Sequence, residues 1–162
     1  MNINTNEDKN IRYAELNDFH GINEIADQAQ HYHVELRPDM YKETPDGILI
    51  SKEKYLELIN NKKIIVYCEK QKVKGYIIIE DKKIENPFMK KQKILFIDSL
   101  AVAKEVKQQG IGKNLMKYIE KYAKDNKYEK IELQVNGKNE VAKALYYNQG
   151  FTTKSINLEY YI

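Results

Sequence analysis

A short glycine-containing segment, Lys107-Gln108-Gln109-Gly110-Ile111-Gly112-Lys113, stands between an apolar stretch and an amphipathic one. If a helix begins at Ile111, the backbone N–H groups of its first turn have no partners inside the helix. The helix dipole adds roughly half a positive charge at that end. Gly110 and Gly112 let an anion approach the backbone, because no Cβ stands in the way. The segment therefore predicts a phosphate-binding site.

Two well-known nucleotide-binding loops do not fit this spacing. A dinucleotide fingerprint needs a third glycine where the chain has Leu115. A P-loop needs glycine at 107 and serine or threonine at 114, and the chain has Lys107 and Asn114. Taken alone, the two glycines also fit a tight strand-to-helix turn that binds no ligand.

The elements that must position this loop follow from hydrophobic periodicity and from turn residues. Asp18 and Ser51 are candidate N-caps, because their side chains can accept a hydrogen bond from a first-turn N–H. The region 31–49 contains prolines and a glycine, and we expect it to be irregular. We predict helices at 19–30, 52–60, 111–125 and 139–148, strands at 11–16, 64–69, 75–80, 93–102 and 130–135, and one or two closing strands within 151–162.

The order of these elements predicts the sheet. Three consecutive strands in the middle of the chain favour antiparallel pairing, whereas the strand–helix–strand unit around the helix at Ile111 favours a parallel pair. We therefore expect residues 1–162 to form a single domain of the α/β (α+β) class. Its sheet should be mixed, mostly antiparallel and covered by helices on both faces.

Composition narrows the class of protein. The net charge is +3 with 31% charged residues, and lysine and glutamate are interleaved, so we expect no nucleic-acid partner. No apolar run approaches the ~20 residues that span a bilayer, so we expect no membrane association. Residues 1–9 contain no apolar stretch typical of a secretory leader. The single cysteine, Cys68, fits a reducing compartment, and we expect a cytoplasmic protein.

Two linked motifs resemble those of a known family. Leu100-Ala101-Val102, a short loop and then Gln-Gln-Gly-Ile-Gly-Lys resemble the acetyl-CoA motif of the GNAT superfamily of N-acetyltransferases. Asn139, Ala142, Leu145-Tyr146 and Gly150-Phe151 are similar to the second signature of that superfamily. The two motifs stand in the family's order and cover about residues 94–151. One position departs from the pattern, because Lys107 stands where the family commonly has glutamine or arginine, and lysine lacks the planar fork of arginine.

The resemblance implies a site for acetyl-CoA. In the family the sheet splays open between the fourth and fifth strands, and the pantetheine arm pairs there with free backbone groups, here near Leu100 and Val102. Such an opened ladder has spare donors and acceptors, and an amide-bearing ligand satisfies them. Asn139 would bond the pantetheine chain. The pyrophosphate would rest on the backbone of Gln108, Gln109, Gly110, Ile111, Gly112 and Lys113.

The resemblance also implies chemistry, namely direct attack by an amine on the thioester. An alkylamine has a pKa near 10.4 and must lose a proton before it attacks. Tyr146 matches the family's acid, which would protonate the departing thiolate, although a tyrosine packed in the core is the alternative. Some relatives use a glutamate where this chain has Gln134, which cannot accept a proton. Asp98 and Glu132 are the candidate bases, and a chain of waters needing no single base is equally open.

Other reactive residues carry weaker signals. Cys68 lies in an apolar strand and is expected to be inert, not an acyl carrier. His31 and His33 have no third ligand at a suitable spacing, so we expect no metal site. Glu35, Asp39 and Glu43 either attract a cationic amine or are simply solvated.

The acceptor of the acyl group is not encoded in a pattern we can interpret. We expect an amine of a small molecule or of a peptide, with 31–50 and 152–162 setting the choice. A catalytically silent acyl-CoA-binding module on the same fold is the alternative function. Exposed sheet edges also make a homodimer possible.

Overall fold

The computed structural model of the chain describes residues 8–162, so the interpretation of segment 1–7 lies outside the described residues. The strands are β1 (Ile11–Tyr13), β2 (Ile64–Glu69), β3 (Lys72–Lys83), β4 (Lys93–Val102) and β5 (Lys130–Leu133). The helices are α1 (Phe19–Leu36), α2 (Lys52–Asn60), α3 (Ile111–Asp125) and α4 (Glu140–Asn148). Short 3₁₀ turns lie at Asp8–Asn10, Leu16–Asp18 and Lys104–Val106. Within the described part, no helix is long and apolar enough to cross a membrane.

The five strands form one mixed sheet in the order β1-β2-β3-β4-β5. The first three pairs are antiparallel and the β4–β5 pair is parallel, which confirms the predicted sheet. Consecutive residues at 64–67, 75–79 and 94–95 are buried. Since neighbouring side chains of a strand point to opposite faces, these runs show that both faces of the sheet are covered. Helices α1 and α3 both contact β3 and β4.

The β4–β5 pair is short, and this shapes the middle of the molecule. Pairing begins at Ile94 with Lys130 and ends at Ile97 with Leu133. Strand β4 then continues for five more residues to Val102 without β5 beside it. The predicted splay between the fourth and fifth strands is thus confirmed.

A β-bulge lies where the two strands part. Ile78 and Ile79 are adjacent on β3, but they pair with Ser99 and Ile97 on β4, so Asp98 has no partner across the ladder. A bulge bends its strand and redirects a side chain, and such features recur beside functional sites. Asp98 is exposed at this point.

The first helix begins at Phe19 as predicted, but it ends later and lacks the expected side-chain cap. It continues six residues past the expected end at residue 30 and so includes His31 and His33, because no helix breaker occurs before Pro38. Asp18 does not cap it with its side chain. That carboxylate instead accepts hydrogen bonds from the Arg12 guanidinium at 2.7 Å and from the backbone N–H of Glu15 at 2.8 Å.

The bounds of the other helices and strands agree more closely with the sequence prediction. Ser51 caps α2 as predicted, since its hydroxyl accepts a hydrogen bond from the N–H of Lys54 at 3.2 Å. The turn between β2 and β3 contains only Lys70 and Gln71, both with positive φ, so β3 begins earlier than expected. Strands β1 and β5 end at Tyr13 and Leu133, earlier than predicted.

The predicted closing strands are wrong. Among the described residues, no strand is assigned after α4, and residues 152–162 are exposed throughout. The segment has the alternating pattern of a strand, but a strand also needs a paired neighbour, and that pattern does not encode which edge it joins. Here Glu159 and Tyr161 bind Arg37 and Asp39 in the loop after α1.

Gly75 sets how closely α3 approaches the sheet. A Cβ added there would lie 3.0 Å from Cγ2 of Ile111, 3.2 Å from the carbonyl oxygen of Ala101 and 3.3 Å from Cδ1 of Leu115. The first turn of α3 therefore rests directly on the backbone of β3. This contact places the glycine-containing loop beside the end of β4.

We expect Gly75→Ala to lower the free energy of unfolding by about 1–3 kcal/mol, because the added methyl overpacks this contact. Chemical denaturation measures the change. Gly137→Ala is the matched control, since a Cβ there meets nothing within 4 Å. Equal stabilities for the two variants would contradict the close approach of α3 to β3.

Candidate active site

The free end of β4 exposes backbone groups toward the gap left by β5. The N–H of Ala103 donates to the carbonyl of Lys74 at 2.8 Å, which continues the β3–β4 ladder past the end of β4. In an antiparallel ladder, residues alternate between bonding the neighbouring strand and facing away from it. Ala101 therefore faces β3, whereas the backbone N–H and C=O groups of Leu100 and Val102 face the gap.

The loop before α3 presents a row of backbone donors. Gln108 and Gly110 have left-handed backbone conformations, with φ of 66° and 83°. The first helical hydrogen bond runs from the N–H of Asn114 to the carbonyl of Gly110 at 2.9 Å. The earlier N–H groups of the helix have no partner within it. The N-cap residue is Gly110, and no side chain caps this end of the helix. Gln108, Gln109, Gly110 and Lys113 are exposed.

Gly112 joins this loop to the open strand. A Cβ at Gly112 would lie 3.8 Å from Val102 Cγ2 and 3.9 Å from Leu100 Cδ2. It would lie 3.4 Å from Cδ2 of Leu145 on α4. The start of α3, the free end of β4 and one face of α4 thus meet around a residue with no side chain. We term the space between these three parts the candidate cleft. It has an unpartnered helix end on one side and unpaired strand backbone on another, and a helix end of this kind suits an anion.

Asn139 holds the start of α4. Its side chain is buried, and its Oδ1 accepts a hydrogen bond from the N–H of Ala142 at 3.0 Å. This is a helix N-cap, which the sequence interpretation did not assign to Asn139. Because Oδ1 is engaged, the carboxamide NH₂ is the group that Asn139 has for a ligand.

Tyr146 lies one residue beyond Leu145 on α4. Its ring packs against Phe151, with 5.8 Å between the ring centroids. Burial raises the pKa of the Tyr146 phenol above its usual value of 10. A phenol with a raised pKa keeps its proton at neutral pH, so Tyr146 has the protonation state that a general acid needs.

Comparison with known sequences shows which family the chain belongs to. The family model of the acetyltransferase (GNAT) family matches residues 23–151, which is most of the chain and runs from within α1 to the residues just after α4. The chain belongs to the GNAT family. No curated protein sequence matches it.

Solved structures share the GNAT fold seen here. A mutant of the BH1408 protein from Bacillus halodurans superposes with a TM-score of 0.88 at 24% identity, covering 94% of this chain and 98% of that chain. An aminoglycoside acetyltransferase from an uncultured soil metagenomic sample, solved with sisomicin, gives 0.62 at 18% identity, covering 94% and 93%. An acetyltransferase from Vibrio fischeri gives 0.61 at 20% identity, covering 77% and 94%. At these sequence identities, the similarity shows a shared fold alone.

The two candidate bases have different surroundings. Asp98 is exposed on the bulge where β4 and β5 part. Glu132 is only 15% exposed and binds Lys130 at 2.7 Å and Lys154 at 2.8 Å. Burial opposes ionisation of Glu132, but the two lysines outweigh it and lower the pKa of this carboxyl. The lowered pKa makes Glu132 a poor proton acceptor at neutral pH.

Helix α1 supports the glycine-containing loop before α3, and the sequence contained no signal for this support. The N–H of Lys104 donates to Oε1 of Gln28 at 2.8 Å. The ammonium of Lys107 lies 5.3 Å from the centre of the Tyr32 ring, a cation–π contact. Gln28 is 76 positions before Lys104, and a polar residue on a helix face does not indicate a distant partner.

The remaining reactive residues have ordinary surroundings. Burial raises the pKa of the Cys68 thiol, which disfavours the nucleophilic thiolate, and Cys68 lies on β2, away from the cleft. His31 contacts Glu43 at 2.7 Å and Glu35 at 3.4 Å at an exposed surface. Within residues 8–162, no group of three or more potential ligand side chains is placed to hold a metal ion.

We expect Gln28→Ala to speed hydrogen exchange at the amide of Lys104 roughly fivefold, the value for losing a hydrogen bond of about 1 kcal/mol. Amide exchange followed by mass spectrometry or NMR measures it. Gln30→Ala is the control, because Gln30 lies on the same helix but donates to the carbonyl of Lys42. Unchanged exchange at Lys104 in Gln28→Ala would show that α1 does not hold the loop.

Proposed function

We propose that this chain is an N-acetyltransferase that transfers an acetyl group from acetyl-CoA to a primary amine by direct attack in a ternary complex. The observation that carries the proposal is the meeting at Gly112 of three parts: the start of α3, the open end of β4 and Leu145 of α4, the residue before Tyr146. Membership of the GNAT family supports the same reaction class.

The residues around Gly112 suit the parts of acetyl-CoA. Free N–H groups from Ile111 to Lys113 and the dipole of α3 suit the pyrophosphate. Backbone groups of Leu100 and Val102 suit the pantetheine amides, as does the carboxamide NH₂ of Asn139. Gly112 leaves open the space that a side chain would fill. Bound acetyl-CoA would supply the thioester that is attacked.

Two side chains would then transfer protons, one accepting a proton from the amine and the other donating a proton to the thiolate. The Asp98 carboxylate would accept a proton from the ammonium form of the acceptor or hold that cation near the gap. The neutral amine would form the new C–N bond at the thioester carbonyl, and the C–S bond would break as the nitrogen loses its second proton to water. Tyr146 would give its phenolic proton to the departing thiolate sulfur. Burial raises the pKa of Tyr146, so the phenol holds its proton at neutral pH and forms a strongly basic phenolate, which would recover a proton from water after the transfer.

The acceptor would be an amine of a small molecule or of a peptide, and the protein would work in the cytoplasm. The single half-buried thiol, Cys68, supports a reducing compartment. A catalytically silent acyl-CoA-binding module is the second candidate. It is favoured by Gln134, which cannot act as a base, and by the two lysines that engage Glu132.

Thiol release from acetyl-CoA with a panel of amines tests the proposal, using polyamines, aminoglycosides, amino acids and short peptides. We expect amine-dependent release, and we expect Gly112→Ala to weaken acetyl-CoA binding without loss of stability, because the methyl enters the cleft at ordinary contact distances. Binding without release for any amine would favour the silent module. Absence of both would overturn the assignment of the cleft.

We expect Tyr146→Phe to lower kcat about 100-fold, as is typical for loss of a general acid, with little change in acetyl-CoA affinity. The ring and its contact with Phe151 are kept, so the proton alone is removed. Tyr147→Phe is the matched control, since the neighbouring phenol is 52% exposed and contacts Thr153. Equal kcat for wild type and Tyr146→Phe would remove Tyr146 from the mechanism.

We expect Asp98→Asn to reduce kcat/KM for the amine at neutral pH, and the loss should shrink as pH rises toward the amine's own pKa of about 10.4. The reason is that a deprotonated amine needs no base. Asp125→Asn, at the far end of α3, should leave the pH profile unchanged. A profile for Asp98→Asn that matches wild type would favour the water chain.

A further inference from the structure

Three chain segments meet at the end of the sheet that lies away from the candidate cleft, and we term them together the basic end: residues 61–63, 81–93 and 126–130. Lys63 binds Asp81 at 2.5 Å, and the ammonium of Lys93 donates to the carbonyl of Asn126 at 2.7 Å. Strand β4 begins here and ends at Val102, nine residues further on, so about 30 Å separates the basic end from the cleft at roughly 3.3 Å per residue.

The basic end concentrates positive charge. Its 21 residues include nine lysines and three acidic residues, a net charge of +6, whereas the whole chain has +3. The rest of the chain therefore has a net charge of −3. Because the lysines are interleaved with other residues along the chain, the sequence pattern indicates an ordinary surface, and the fold brings them together. The lysines are Lys62, Lys63, Lys82, Lys83, Lys90, Lys91, Lys93, Lys127 and Lys130.

Several of these ammonium groups have no counter-ion. Within the described residues, no hydrogen bond, ion pair or ring contact involves the side chain of Lys83, Lys90 or Lys91. One of the three nearby acids, Asp81, is already bound to Lys63. An excess of unpaired ammonium groups at one end of a molecule attracts an anionic surface, and salt screens the attraction.

An apolar tip projects from the middle of this charge. Phe88 is 96% exposed and Met89 is 51% exposed. The turn that carries them is closed by Asn86, whose Oδ1 accepts a hydrogen bond from the N–H of Phe88 at 2.9 Å and whose carbonyl accepts one from the N–H of Met89 at 3.1 Å. The lysines at 82, 83, 90 and 91 stand directly before and after this turn along the chain.

The combination of an apolar tip and free lysines decides the kind of partner. Two apolar side chains bury far less than the ~1,200 Å² at which specific protein–protein interfaces begin. A nucleic-acid phosphate backbone would suit the lysines but would leave Phe88 and Met89 in water. The surface of an anionic bilayer accommodates both, because apolar side chains enter the acyl boundary while lysine ammonium groups stay among the headgroups.

We propose that the basic end docks on an anionic membrane surface, with Phe88 and Met89 inserted at the headgroup boundary and the surrounding lysines on the lipid phosphates. Docking of this kind is peripheral and needs no spanning helix. The expectation of no membrane association rested on the lack of an apolar run long enough to span a bilayer, which does not bear on surface docking. The distance of about 30 Å along β4 leaves the cleft clear of the membrane.

Co-sedimentation with lipid vesicles tests the docking, and its outcome does not depend on acetyl transfer. We expect the protein to sediment with vesicles of phosphatidylcholine that contain about one-third phosphatidylserine, and not with phosphatidylcholine alone. The bound fraction should fall as salt rises, because salt screens the lysines. Equal binding to both kinds of vesicle, or binding to neither, would overturn the proposal.

Substitutions separate the tip from the charge. Phe88→Ala should lower the partition coefficient roughly tenfold, because an exposed ring no longer enters the bilayer. Lys90→Glu combined with Lys91→Glu should lower it at least roughly tenfold. Lys42→Glu combined with Lys52→Glu is the matched control, since both lysines are exposed and lie outside the basic end. Equal losses for the two charge-changed pairs would show that net charge alone drives binding, and the proposal would fail.

A single tryptophan reports whether the tip inserts. The chain contains no tryptophan, so Phe88→Trp supplies one fluorophore at the tip. We expect its emission to move to shorter wavelength on anionic vesicles and to be quenched by brominated lipids. Leu49→Trp, at a residue 48% exposed in the loop before α2, should show neither effect. An unshifted, unquenched Phe88→Trp signal from vesicle-bound protein would contradict insertion.

Fluorescence anisotropy with a labelled DNA duplex and a labelled single-stranded RNA tests the competing class of partner. We expect only weak binding that Phe88→Ala leaves unchanged, because charge alone supplies it. Tight binding that depends on Phe88 would mean that the ring stacks on a base. That result would overturn the membrane assignment and give the basic end to a nucleic acid.

Discussion

The early end of the β4–β5 pair is the constraint on which the candidate site depends. After Ile97 and Leu133 the two strands part, and β4 continues alone to Val102. In a complete ladder the backbone groups of Leu100 and Val102 would be occupied by β5. Because these backbone groups are unpaired, an amide-bearing ligand can form hydrogen bonds with them in the middle of the sheet. The bulge at Asp98 lies at the point of separation, so the same irregularity brings a carboxylate to the gap.

Two glycines on different elements set how closely α3 approaches that gap. Gly75 lets the first turn of α3 rest on the backbone of β3, and Gly112 lets the same turn approach β4 and α4 without filling the space between them. Helix α1 adds support from another direction through Gln28 and Tyr32. The start of α3 is therefore held by the sheet on one side, and the loop before it is held by a helix on another.

Within the described residues, the same β5 that leaves β4 open also has no strand beside its own outer edge. An unpaired edge exposes a row of backbone N–H and C=O groups. The segment 155–162 has the alternating apolar residues of a strand, yet Arg37 and Asp39 hold it elsewhere in its own chain. The short strand β5 thus leaves β4 open on one side and, within the described residues, leaves the edge of the sheet bare on the other.

Local features of the sequence determined much of this protein. The limits of α2, α3 and β4, the cap at Ser51 and the mixed sheet all followed from periodicity and turn residues, because those depend on neighbouring positions. The glycine-containing loop indicated an anion site for the same reason. Tertiary structure alone decided that Asp18 pairs with Arg12 instead of capping α1, that Gln28 holds the loop, and that Lys130 and Lys154 engage Glu132. It also decided that the terminal segment has no strand neighbour in its own chain. Each of these depends on which distant residues meet, and a short-range pattern does not contain that information.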